Sequence, residues 1–95
     1  MTKFTVRTNA RCEMIDITDR VEALVRESGL RDGICHVFVP HTTAALTINE
    51  NADPDVPRDI LDSLDRVVPL SNRYRHAEGN AAAHVKASLL GASQT

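Results

Sequence analysis

Residues 33–49 read "GICHVFVPHTTAALTIN" and decide the fold, because two runs of strand-forming residues follow one another there. The first run, Gly33 to Pro40, is short, mostly apolar and rich in β-branched and aromatic side chains, so it predicts a buried strand. The second run, Thr43 to Asn49, predicts a partner or a continuation of that strand. We therefore expect the sheet of this protein to be centred on residues 33–49.

Two more strands are predicted nearer the start of the chain. Residues 4–8 alternate apolar and polar side chains, which is typical of a half-buried strand. A turn at Asn9-Ala10 then leads into residues 11–17, "RCEMIDI", whose β-formers predict a second strand.

Helical spacing of apolar residues predicts two helices on either side of the central run. Thr18 is expected to cap the first, and Gly29 sits where a left-handed residue would end it. Asp55 is expected to cap the second, which Pro69 ends. The apolar face of this second helix consists of Val56, Ile60, Leu61, Leu64 and Val67.

A third helix is predicted over "NAAAHVKASLLG", with Asn80 as its cap, Gly91 as its end, and Val85 and Leu89 packed on the sheet. The element order predicts one α+β domain over residues 1–95, with a small mixed or antiparallel sheet layered with two to three helices. Four short strands leave an exposed edge. We expect neighbouring subunits to cover it, or further strands to follow in a longer form of the protein.

Composition excludes several classes of protein. The 95 residues carry a net charge of −2, with scattered basic residues and three aromatic residues, which disfavours nucleic acid as a partner. No stretch reaches transmembrane length and no secretory signal is visible, so we expect a cytoplasmic protein without a membrane partner. Cys12 and Cys35 lack metal-type spacing and are expected to be half-buried thiols.

A first candidate site follows from alternation along residues 41–49. In an extended chain Ala44, Leu46 and Ile48 face one way, and the opposite face presents His41, Thr43, Thr47 and Asn49. This polar face either lines a ligand site or is simply solvated, and spacing alone leaves both interpretations open.

A second candidate site lies at the third helix. His84 and Ser88 are four residues apart and share a face. The start of the helix offers free N–H groups suited to an anion, with His76 just before it. His41, His76 and His84 could together hold zinc, since three imidazoles plus water form a common open site. His36, inside the apolar run, is left out as a packed or edge histidine.

Asp59, near the start of the second helix, has two interpretations. Its carboxylate could orient an imidazole or act as a base. Alternatively, it is an acidic residue favoured in a first helical turn by the helix dipole.

Two blocks of the sequence resemble the YjbQ-like family, whose members are commonly described as secondary thiamine-phosphate synthases. The blocks are "HTTAALTINEN" (residues 41–51) and "RHAEGNAAAHVKASLLG" (residues 75–91), with Asp59 between them. The resemblance spans essentially the whole chain and implies an α+β homotrimer with its site near subunit boundaries. The family usually continues through further strands with a Gly-Thr-Trp-Gln motif, which this sequence lacks.

The resemblance also implies roles for individual residues. The implied catalytic residues are His41, Glu50, Asp59 and His84. The implied substrate-binding residues are Thr42, Thr43, Asn49, Asn51, Glu78, Asn80, Lys86 and Ser88. The implied metal ligands are His41, His76 and His84, for a divalent ion such as zinc or magnesium.

The implied activity joins hydroxymethylpyrimidine diphosphate to a thiazole phosphate and releases pyrophosphate. The expected partner is accordingly a phosphorylated small molecule or anion. The alternative is a non-catalytic trimeric protein that binds a small anion or metabolite in the same pocket.

Overall fold

A computed structural model describes residues 1–95 and contains three helices and two short strands. Their order is α1 (Thr18–Glu27), β1 (Val37–Phe38), α2 (Asp55–Val67), α3 (Ala81–Leu90) and β2 (Ser93–Gln94). The chain divides into two compact units, residues 1–35 and 36–95. The predicted α+β class is confirmed. No helix is both long enough and apolar enough to cross a membrane.

Helix α1 is the regular element of the first unit. The predicted cap at Thr18 is wrong, because Ile17 occupies the N-cap position and the Thr18 hydroxyl donates to Asp16 Oδ1 at 2.6 Å. The predicted end is confirmed. The helix ends at Glu27, and Gly29 adopts a φ of 74°, a left-handed conformation that glycine accepts without strain.

The two strands predicted for residues 4–8 and 11–17 are not formed. The segment around Phe4 is held instead by Arg20, whose guanidinium lies 4.6 Å from the Phe4 ring centroid and donates to the Thr5 carbonyl. A strand exists only through a hydrogen-bonded partner, and neither segment has one in this unit.

The sheet of the second unit is a two-stranded antiparallel ladder. Val37 pairs with Gln94 and Phe38 with Ser93. Residues 91–94 also bond to the segment before α2, since Leu46 N donates to the Gly91 carbonyl at 3.0 Å. The partner of β1 is therefore β2, and not residues 43–49, which were predicted to be its partner or its continuation.

Both predicted central strands need correction. Within residues 33–40 only Val37–Phe38 is a strand, and it is not buried, since Phe38 is 61 % and Ile34 84 % exposed. Residues 43–49 form no strand. Their apolar set does not pack together, because Leu46 is half-buried whereas Ile48 is exposed. Cys12 and Cys35 form no disulfide, and both are exposed, not half-buried.

Helix α2 matches its predicted bounds closely. It runs from Asp55 to Val67, with Pro54 at the N-cap position, so the predicted cap at Asp55 is wrong by one residue. The Asp53 side chain stabilises this turn instead, because its Oδ1 accepts a hydrogen bond from Asp55 N at 2.9 Å. The predicted apolar face is half-buried except for Val67, which is exposed.

Helix α3 contributes most of the buried core. Ala81 and Ala82, together with Val68, are the buried hydrophobic residues of the chain. Asn80 occupies the predicted N-cap position but makes no side-chain cap bond, and Gly91 ends the helix at a φ of 92° as predicted. Val85 and Leu89 are exposed, so their predicted packing on the sheet is wrong.

Candidate functional site

A surface depression of about 380 Å³ lies beside the start of α3. It is lined by Tyr74, Arg75, His76, Ala81, His84 and Val85. Half of this lining comes from the loop before the helix and half from the first helical turns. We call it the α3 depression. It is shallow and open to solvent.

Two imidazoles meet in the α3 depression. The ring centroids of His76 and His84 are 5.2 Å apart and the ring planes cross at 82°, an edge-to-face contact. His84 reaches this position because its backbone N–H bonds to the Asn80 carbonyl, which fixes it one turn into α3. His76 reaches it from the loop. Two of the three predicted metal ligands are thus neighbours.

A carboxylate and a guanidinium flank this histidine pair. Glu78 Oε2 lies 3.6 Å from His76 Nε2, and the Glu78 side chain is 74 % exposed. Arg75 lines the same depression and takes part in no ion pair. The local charge therefore combines one permanent cation, two imidazoles and one exposed acid.

Asn80, at the N-cap position of α3, has an unpaired side-chain oxygen. Its Oδ1 atom is buried and has no hydrogen-bond partner, and the side chain does not cap α3. The first N–H groups of a helix have no intrahelical partner, so those of α3 keep their donor capacity.

The loop that carries Arg75 and His76 is held by Tyr74. The Tyr74 hydroxyl donates to the Pro69 carbonyl at 2.5 Å, and this contact is partly buried. Pro69 follows Val68, one of the buried core residues. The hydrogen bond thus ties the histidine loop to the packed end of the segment after α2.

A second depression, of about 340 Å³, brings together two other predicted residues. Asn49 and Asp59 line it with Val56, Ile60, Ser63 and Leu64. The segment before α2 supplies Asn49 and the helix supplies the rest. The predicted site residues are therefore divided between two surfaces, since neither Asn49 nor Asp59 lines the α3 depression.

Several predicted residues lie outside both depressions. His41, Thr42 and Thr43 are exposed in the segment after β1, and Glu50 and Asn51 are exposed before α2. Lys86 is half-buried on α3. The Ser88 hydroxyl donates to the His84 carbonyl at 3.0 Å, so it bonds to the helix itself.

The predicted set of three histidine ligands is not brought together. No three His, Cys, Asp or Glu side chains are grouped so that they could hold a metal ion. His36, predicted to be a packed or edge histidine outside the site, is exposed, and its Nδ1 forms a hydrogen bond with the Thr95 hydroxyl at 2.8 Å.

Sequence reasoning missed Tyr74 and Arg75. Both precede His76 directly in "YRH". A lone Tyr and an Arg in a polar loop have no distinctive spacing, so only their closeness to His76 could have drawn attention to them.

The sequence and the fold match a family with solved structures. The family model of the UPF0047 protein YjbQ-like family matches residues 2–95. The chain is 53 % identical over 90 residues to the UPF0047 protein YugU of Bacillus subtilis, covering 94 % of this chain and 68 % of YugU. It is 48 % identical over 93 residues to a UPF0047 protein of Methanocaldococcus jannaschii, covering 98 % and 67 %. The chain belongs to the YjbQ-like UPF0047 family.

Solved structures agree with this membership. The crystal structure of an uncharacterised conserved protein of this family from Clostridium acetobutylicum matches with a TM-score of 0.81 at 62 % identity, over 84 % of this chain. A hypothetical protein from Aeropyrum pernix matches with a TM-score of 0.90 at 34 % identity, over 96 % of this chain. This chain spans 62 % and 69 % of those two solved chains.

The predicted thiamine-phosphate synthase activity is wrong. The relatives bear only the UPF0047 designation, and the solved structure from Clostridium acetobutylicum is described as that of an uncharacterised protein. Nor do these descriptions specifically support the alternative of a non-catalytic binding protein. Function must therefore be argued from the geometry of the chain itself.

Proposed function

We propose that the α3 depression binds a small anion, such as a phosphate-bearing small molecule. The observation that carries this proposal is the presence of Arg75, His76 and His84 in one depression. A guanidinium offers paired N–H donors whose geometry suits phosphate and carboxylate groups. Imidazoles add donors that can be neutral or charged.

The start of α3 supports the same ligand class. The helix has ten residues, its first turn contains no acidic side chain, and Asn80 leaves its N–H groups without a side-chain cap. These groups and the helix dipole favour negative charge at this end. Ala81 lines the depression, so the start of the helix lies beside it.

The Glu78 carboxylate repels an anion, but its exposed position makes this repulsion weak. It lies on the loop, 3.6 Å from His76 Nε2, with most of its side chain in solvent. Exposed ion pairs contribute little, about 0–1 kcal/mol. An anion can therefore displace Glu78 from His76 at small cost.

Titration with inorganic phosphate and pyrophosphate, followed by calorimetry in chelator-treated buffer, tests this proposal. We expect saturable binding that His84→Ala weakens at least tenfold. His36→Ala is the matched control, since His36 is an exposed histidine bonded to Thr95. Equal affinity in the wild type and the His84→Ala variant would overturn the proposal.

A divalent metal ion is a second candidate ligand, and the spacing of the histidine rings favours it. Two imidazoles bound at about 2.0–2.1 Å to one tetrahedral zinc ion have centroids about 5 Å apart. The observed 5.2 Å matches that spacing, and it also lies within the range of about 4.5–7 Å of ordinary edge-to-face ring pairs. Zinc suits a histidine pair better than magnesium, which prefers oxygen ligands. Since the chain groups no third protein ligand there, we propose that water or the anion completes the coordination.

Cobalt titration separates the two candidates. If a metal is required, phosphate binding is lost in chelator and restored by Co²⁺, with a visible spectrum of tetrahedral character that His76→Ala and His84→Ala each abolish. If phosphate binds equally with and without Co²⁺, the metal proposal fails and the anion proposal stands.

We also propose that the protein assembles as a homotrimer. The proposal is supported by the large apolar surface of the chain, which leaves Ile34, Phe38, Ile48, Val67 and Leu89 more than 60 % exposed. Apolar surface of this kind marks an interaction site where the side chains form one contiguous patch. Sedimentation equilibrium checks the mass directly, and a monomer of 10.4 kDa at all concentrations would contradict a trimer.

A further inference from the structure

We infer that Tyr74 is a positioning residue for the α3 depression, holding the loop of residues 69–76 so that His76 stays against His84. The inference rests on the proposed function only where ligand affinity is concerned. The ring contact that Tyr74 is inferred to maintain can be measured without any ligand.

The first support is the anchoring hydrogen bond. The Tyr74 hydroxyl donates to the Pro69 carbonyl five residues earlier, at 2.5 Å and partly shielded from solvent. This bond closes the loop on itself next to Val68, which is 5 % exposed. A loop closed onto a packed residue samples fewer conformations than an open one.

The second support is the place of Tyr74 in the site. Its side chain lines the depression together with the next two residues, Arg75 and His76. By contrast, His84 is fixed by the hydrogen bonds of α3. The 5.2 Å contact between the two imidazoles therefore depends on the loop partner more than on the helix partner.

Tyr74→Phe is the informative variant because it removes the hydroxyl and keeps the ring. Ser71→Ala is its matched control, since it removes an exposed hydroxyl from the same loop. In the free wild-type protein we expect nuclear Overhauser contacts between the ring protons of His76 and His84. These contacts should be lost or strongly reduced in Tyr74→Phe and kept in Ser71→Ala, with the amide signals of Ala81 to Leu90 unchanged in both.

Affinity for inorganic phosphate gives the functional readout. Tyr74→Phe should weaken binding about three- to tenfold, the range expected for one neutral hydrogen bond. If Tyr74 acts through the histidine pair, the same change in a His84→Ala background should have little further effect. A general loss of stability would instead weaken both backgrounds alike, and thermal unfolding of each variant checks for it.

The outcomes separate the two hypotheses. If the ring contacts and the phosphate affinity of Tyr74→Phe equal those of the wild type, the positioning role is overturned while the anion site stands. If His84→Ala binds phosphate as well as the wild type, the anion site fails, and the ring contacts alone then decide the role of Tyr74.

Discussion

Helices α2 and α3 belong to the same compact unit, but the helix with the clearer apolar face is the less buried of the two. Helix α2 alternates charged and apolar residues and presents a clear apolar face, yet no residue of it is fully buried. Helix α3 begins with three alanines and buries two of them, Ala81 and Ala82. A strong amphipathic pattern therefore predicts that a helix forms, whereas small side chains allow close packing.

The difference explains why the histidine pair lies where it does. The buried start of α3 fixes the backbone from which His84 projects, and the loop from Pro69 brings His76 beside it. The half-buried face of α2 lines the second depression, whose polar members are Asn49, Asp59 and Ser63. A packed element supplies a more rigid support for a ligand site than a solvated one.

The largest loss of stability is expected at the buried start of α3. Ala82 is 2 % exposed, so Ala82→Asp would bury a carboxylate without a partner. We predict a loss of roughly 3–5 kcal/mol in the free energy of unfolding, measured by urea denaturation. Ala52→Asp is the matched control at an exposed position before α2, where a change within about 0.5 kcal/mol is expected. Similar costs for the two variants would show that the start of α3 is not packed in solution.

The sequence predicted the three helices well, because a helix is made by hydrogen bonds within one segment and by residue spacing. The end at Gly29 followed from the left-handed conformation that glycine accepts, and the end at Gly91 was also predicted correctly. Strands depend on partners distant in the chain, and here the partner of Val37–Phe38 is Ser93–Gln94. Nothing in the local pattern of residues 91–95 indicated that pairing.

The candidate site was predicted only in part, for a related reason. The association of His76 with His84 could be expected, since His76 lies just before the helix that carries His84. The separation of Asn49 and Asp59 into another depression could not, because it depends on how residues 43–49 run past α2. The role of the Tyr74 hydroxyl required the position of the Pro69 carbonyl.

An intermediate effect is expected on α2. Leu64 is half-buried, so Leu64→Ala should cost about 1–2 kcal/mol, less than the 2–5 kcal/mol typical of a fully buried leucine. Urea denaturation at several protein concentrations measures this cost. A larger cost that grows with protein concentration would instead show that a second chain covers the α2 face, which would sharpen the proposal of a trimer.

The smallest change in stability is expected at the starts of the two helices. There Asp53 makes a side-chain hydrogen bond to the backbone, whereas Asn80 makes none. Asp53 Oδ1 accepts from Asp55 N, so Asp53→Ala should cost about 1 kcal/mol, as the loss of a side-chain cap usually does. Asn80 makes no cap bond and its buried Oδ1 has no partner, so Asn80→Ala should leave the stability unchanged or raise it by up to about 1 kcal/mol, because an unpaired buried acceptor is itself destabilising. Thermal unfolding of the two variants checks the difference. A cost of about 1 kcal/mol or more for Asn80→Ala would mean that Asn80 Oδ1 accepts a hydrogen bond in solution, with the N–H groups of α3 as its nearest suitable donors. Those N–H groups would then not be available to bind an anion.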